Sequence, residues 1–151
     1  MVGLAALGGL GCSQSPEVKK QKAVALGEKY LKDGKTNEAI IEFRNALQID
    51  QNFVPALQGL GRAYAAKSWY GDAFRELERA QQLSPDSLPL AADLGRAAVR
   101  IGAWQEAETE ATLILSKEPQ NQDGVYLRAS VLAAQGKPQE ALAALDAVPV
   151  G

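Results

Sequence analysis

Residues 60–85 read LGRAYAAKSWYGDAFRELERAQQLSP. Leu60 and Tyr64, then Ala73, Leu77 and Ala80, return every three or four positions on either side of Lys67-Ser68-Trp69, the period of two amphipathic helices joined by a tight turn. The pattern recurs along the chain. Ala39, Ala73, Ala107 and Ala141 lie 34 apart, each directly after an acidic residue: Glu38, Asp72, Glu106 and Glu140. Gly27, Gly61, Gly95 and Ala129 keep the same step, as do Gly34, Ser68, Gly102 and Gly136. A helical hairpin of this size cannot cover its own apolar face, so an unbroken period predicts neighbours stacked into a solenoid.

The turn chemistry agrees with that reading. The Gly or Ser of the last register ends the first helix of each hairpin, where a left-handed cap is easily adopted by glycine. Pro85 and Pro119 mark the outer turns, and Pro138 stands at a first helical turn, where its missing N–H is harmless. Small residues at Gly27, Ala39 and Ala46, with their repeats, let helices approach closely, while Tyr30, Phe43 and Leu77 fill the space between. In the third unit the large-then-small order is exchanged, Ala111 preceding Ile114. Packed interiors tolerate such conserved volume, so normal stacking is expected there.

The recurring residues resemble the tetratricopeptide repeat, whose motif runs Leu-Gly-x-x-Tyr, Ala, a large apolar residue, Ala and Pro. Leu60, Gly61, Tyr64, Ala73, Leu77, Ala80 and Pro85 carry it in the second unit. Leu26, Gly27, Tyr30, Ala39, Phe43 and Ala46 carry it in the first. The resemblance covers residues 20–151 as units 20–53, 54–87, 88–121 and an incomplete 122–151. It implies an all-α, right-handed superhelical solenoid of about four hairpins that binds a protein or peptide partner on its concave face. The family's groove positions fall on Gln21, Val24, Glu28, Leu31 and Lys32; on Gln58, Arg62, Ala65 and Ala66; on Ala92, Arg96, Val99 and Arg100; and on Asp123, Tyr126 and Ser130. Arg62 and Arg96 stand 34 apart, and with Arg100 one turn further they are expected to form a cationic strip for a carboxylate-bearing partner. A solvated, salt-bridged helix face is the competing reading for each arginine alone. The carboxylate clamp of chaperone-binding members is missing, since the matching positions hold Val24, Glu28, Gly59, Pro89 and Asp93. Trp104 and Tyr70 fall at a turn position where the family favours a packed aromatic, and Trp69 just before it.

Composition narrows the function further. The 151 residues carry a net charge of −2, far from the basic excess of a general nucleic-acid binder. The chain has no histidine and one cysteine, Cys12, which removes His-dependent nucleophile pairs, His-based metal sites, zinc clusters of cysteines and an internal disulfide. Gly34-Lys35-Thr36 lacks the earlier glycine of a phosphate-binding loop, having Lys29 there. Glu76/Glu78 and Glu106/Glu108 are two apart and do not face each other on a helix. The expectation is a non-enzymatic interaction scaffold with no cofactor and no metal.

Residues 1–11 form an apolar leader of secretory h-region length, too short to span a bilayer. Gly8, Gly9 and Gly11 before Cys12 resemble a bacterial lipoprotein lipobox, with 12–19 as the lipidated cysteine and polar tether. That resemblance implies a lipid on Cys12 holding the chain to the envelope membrane, facing the periplasm. GEKYLKDGKTNEAIIEFRNALQID (27–50) is similar to repeat lipoproteins linked to exosortase/PEP-CTERM sorting and exopolysaccharide export. Pilus-assembly lipoproteins, a cytoplasmic adaptor and the recruiting arm of a larger enzyme are the alternatives. At the other end, Leu142, Leu145 and Val148 have little polar cover. Either a longer solenoid continues there or the face associates with another chain.

Overall fold

The computed structural model describes residues 15–147. Cys12, the 1–11 leader and Val148 lie outside the described residues. The elements are α1 (Pro16–Lys32), α2 (Thr36–Ile49), α3 (Val54–Ala66), α4 (Tyr70–Leu83), α5 (Leu88–Ile101), α6 (Trp104–Lys117), α7 (Gln122–Ala134) and α8 (Pro138–Asp146). Helices α3, α5 and α7 start at 54, 88 and 122, and α4, α6 and α8 at 70, 104 and 138, so each hairpin keeps the 34-residue phase. The turns close as expected, with φ of +74° at Gly34, +61° at Ser68, +75° at Gly102 and +77° at Gly136.

One boundary differs from the sequence reading. Residues 16–19 belong to α1, not to a tether, because local chemistry starts the helix early. Ser15 caps it, its Oγ accepting from the Val18 N–H at 3.3 Å, and Pro16 takes the first helical position. Lys20 then bridges Glu17 at 2.9 Å and Asp50 at 2.7 Å, tying α1 to the turn before α3. The Lys20 hydrogen bond holds the Asp50 carboxyl below its usual range, and in return raises the lysine.

The backbones of the first helices approach closely in succession, α1 on α3, α3 on α5 and α5 on α7, whereas those of α2, α4, α6 and α8 stay further from one another. The stack is therefore tight on the first-helix side and splayed on the other, which makes α1, α3, α5 and α7 its concave lining. Phe43, Leu57, Leu77, Leu90, Ile114 and Leu127 are its largest fully buried side chains. Phe43 is held between Gly27 and Gly59: a methyl at Gly27 would lie 2.7 Å from the ring, and one at Gly59 closer still. Leu77 is seated on Gly61 in the same way, and Ile114 on Gly124. Ala111 and Ile114 are both fully buried, so the exchanged pair packs normally. Gly71, by contrast, has open space where a side chain would go. Gly59→Ala is expected to destabilise by about 1–3 kcal/mol through overpacking, and Gly71→Ala to stabilise by up to about 1 kcal/mol. Urea unfolding of the two variants checks both signs.

Among the described residues three polar side chains are buried, Asp93, Gln81 and Glu110, and the last two are incompletely satisfied. Gln81 donates to the Pro85 carbonyl at 3.0 Å but leaves its Oε1 without a donor, and Glu110 leaves Oε2 without one. Burial pushes the Glu110 carboxyl from its usual 4.5 up to about 7. The folded chain thus holds this proton more tightly than the unfolded chain. The resulting penalty is absent below pH 4.5 and complete above pH 7. Glu110→Gln mimics the protonated form, so its gain in stability should be near zero at pH 4 and roughly 1–3 kcal/mol at pH 8, read from urea midpoints at the two pH values.

Candidate functional site: a cleft in the concave face

The concave lining carries a cleft of about 340 Å³ where α3, α5 and α7 meet over the start of α4. Leu77, Ala65 and Ala97 give it an apolar base, and Arg62, Arg96, Arg100, Tyr70 and Tyr126 surround it. The stacking does bring the three arginines to one place. They do not form the expected cationic strip, because Asp93 stands among them.

Asp93 is buried, with its side chain 6% exposed. Arg62 Nε donates to its Oδ2 at 2.6 Å, Gln58 Nε2 donates to the same oxygen at 2.7 Å, and Arg96 reaches Oδ1 from one turn along α5. Arg96 also pairs with Asp123 of α7. Two guanidinium charges are thus cancelled by two carboxylates within the fold. A buried carboxylate needs such partners, since desolvation without them is costly. Arg62→Ala with Arg96→Ala would therefore leave Asp93 with only the Gln58 amide and no cation, and its effect would mix stability with binding.

Arg100 is different. Among the described residues it makes no ion pair, and its guanidinium lies over the Tyr70 ring at 4.3 Å from the centroid, a cation–π geometry. Tyr126, 49% exposed, completes the rim. Tyr70 owes its place to the turn: Ser68 closes α3 in the left-handed conformation, so Tyr70 is the first residue of α4 and points back beneath α5.

The expectation of a packed Trp104 fails, and the repeat explains why. Trp104 is the equivalent of Tyr70 one unit on, but the residue equivalent to Arg100 is Ala134, too short to cover it, and Trp104 is 40% exposed. Trp69 is 47% exposed, its ring 5.8 Å from that of Tyr64.

Other groove positions divide. Val24, Leu31 and Val99 pack partly buried against the core and so are structural. Ala92 lines a neighbouring cavity with Arg62 and Arg96. Gln21 bonds Glu17 on its own helix, and the Ser130 hydroxyl donates to the Tyr126 carbonyl. Glu28, Lys32 and Ala66 lie outside the cleft lining, and Gln58 acts behind it through Asp93. Sequence reasoning missed Asp93 as the centre of the site. Its signal was a lone carboxylate inside the apolar run LPLAADLG, three residues before Arg96. Among the described residues no group of three or more acidic or cysteine side chains is placed to hold a metal, and no helix is long and apolar enough to cross a membrane.

Tetratricopeptide repeat models match residues 23–53 and 70–129, so the chain is a tetratricopeptide repeat protein. Among solved structures, the right-handed superhelical solenoid is shared with a series of structures of the protein MamA. One MamA structure has TM-score 0.75 at 20% identity, covering 84% of this chain and 74% of that one. A second has TM-score 0.76 at 23% identity, covering 85% and 70%. PilF of Pseudomonas aeruginosa gives 0.75 at 18% identity, covering 88% of this chain and 61% of that one. Superkiller complex protein 3 of Homo sapiens is 26% identical over 89 residues, which is 59% of this chain and only 6% of that protein.

Proposed function

We propose that the chain is a non-enzymatic scaffold that grips a polypeptide segment of a partner protein in its concave groove. The observation that carries this is the uncommitted guanidinium of Arg100, stacked on Tyr70 beside the exposed Tyr126 at the mouth of an apolar cleft. Such a constellation favours an apolar side chain seated in the cleft with a carboxylate next to it. The repeat fold supports the reading, because stacked hairpins offer a long continuous surface and little else. Arg100 and Tyr126 are both exposed, so Arg100→Ala with Tyr126→Ala leaves the core intact. The double variant, used as bait against a membrane extract, is expected to lose at least about tenfold of the partner captured by the unaltered chain. Equal capture by the two baits would remove the groove from the function.

The same proposal places the chain at the periplasmic face of a bacterial envelope through lipid on Cys12, assisting protein sorting or the assembly of a secretion or exopolysaccharide-export apparatus. Its support is the sequence around Cys12, which lies outside the described residues. Metabolic labelling with palmitate should mark the unaltered chain and not Cys12→Ala, which should also leave the membrane fraction. An unlabelled wild type would withdraw the envelope placement while leaving the groove proposal standing.

A further inference from the structure

The outer face carries a second cleft, of opposite electrostatic character. Because the backbones of α4 and α6 stand apart, a space of about 530 Å³ opens between them, within the usual ligand-pocket range of about 300–1,000 Å³. Leu94 of α5 and Phe74 give it an apolar base; Glu78 and Gln81 stand on one wall, Glu106 and Glu110 on the other. No lysine or arginine lines it. Among the described residues none of the three glutamates makes an ion pair.

Two independent groups show what is missing. Gln81 and Glu110 are more than nine-tenths buried, at 9% and 7% exposure, and each holds an acceptor oxygen with no donor. Buried acceptors of this kind are normally satisfied. Both belong to this cleft, so the group that suits it brings N–H donors, positive charge and an apolar stem to lie on Phe74 and Leu94. Lysine and arginine side chains have that form. Gln82 and Gln105 at the rim supply amides of both polarities, as a peptide backbone beside the inserted side chain requires.

We propose that the cleft between α4 and α6 is a second protein-docking site, which takes a lysine or arginine side chain from a basic segment of a partner polypeptide. It does not depend on the concave groove, and its test leaves that groove untouched. The probe is a fluorescent Arg-Ala-Arg-Ala-Arg-Ala peptide, blocked at both ends, titrated into the full chain at pH 8 and low salt. A peptide with Gln in place of each Arg serves as the neutral control. Glu106→Gln with Glu110→Gln removes two charges at the cleft without changing side-chain shape. Glu38→Gln with Glu42→Gln removes two charges on α2 and leaves net charge equal. Binding of the basic peptide should weaken about tenfold in the first variant and stay unchanged in the second, with the neutral peptide silent. In the unaltered chain, titration should shift the Gln81 side-chain amide and the backbone of Thr109 in an NMR spectrum. Equal weakening by both variants, no binding at millimolar peptide, or shifts confined to Arg62, Arg96 and Tyr126 would each overturn the proposal.

Discussion

The insertion of a large side chain from one helix between glycines of its neighbours is the contact on which the rest of this structure depends. Phe43 of α2 touches Gly27 of its own hairpin and Gly59 of the next, so a single ring sets both the spacing within a hairpin and the spacing between hairpins. Interiors at crystal-like density transmit such a constraint without slack. Leu77 on Gly61 repeats the contact within a hairpin, and Ile114 on Gly124 the contact between hairpins. The backbones of the first helices are thereby drawn close together while those of the second helices stay further apart. Curvature follows from that difference in approach. The two clefts described above are its consequences, one where neighbouring first helices crowd together and one where second helices diverge.

Asp93 shows how a single departure from a repeat makes a site. Its equivalents in the flanking units are Gly59 and Leu127, both packing residues. A carboxylate in that buried register must recruit cations, and the 34-residue phase puts Arg62 of the preceding unit within 2.6 Å. The arginines are consequently rigid walls of the cleft, with their charge already spent on the aspartates. Arg100, one turn beyond the reach of Asp93, retains its charge and rests on Tyr70. Division of labour among three similar residues thus comes from one buried oxygen pair.

Much of this was legible in the amino-acid order, and the parts that were not share a cause. Helix starts, the left-handed turns at Gly34, Ser68, Gly102 and Gly136, and the exchange at Ala111 and Ile114 depend on contacts at fixed sequence separation, which a period exposes. The early start of α1 depended on a cap and a proline that read equally well as a polar tether. Groove positions carried over from the family sorted less cleanly. Val24, Leu31 and Val99 turned inward because an amphipathic helix in a two-layer stack has apolar neighbours on more than half its circumference. The pairing of Arg62 with Asp93 was hidden because it joins different positions of adjacent units, and a comparison of like with like does not reveal it.

The exposed Trp104 carries the same lesson to the level of the surface. In a solenoid each position is covered by its neighbour in the following unit, so the environment of a residue is fixed by the identity found one period later. Tyr70 is covered because Arg100 lies on it, and Trp104 is uncovered because Ala134 occupies the corresponding place. Leu142 and Leu145, 61% and 44% exposed on α8, have no following unit among the described residues to cover them. The surface of such a fold is therefore not graded smoothly along the stack. Among the described residues, the rung where α3, α4, α5 and α7 converge is where a cation of one unit lies over an aromatic ring of the preceding one, at the offset needed to receive it.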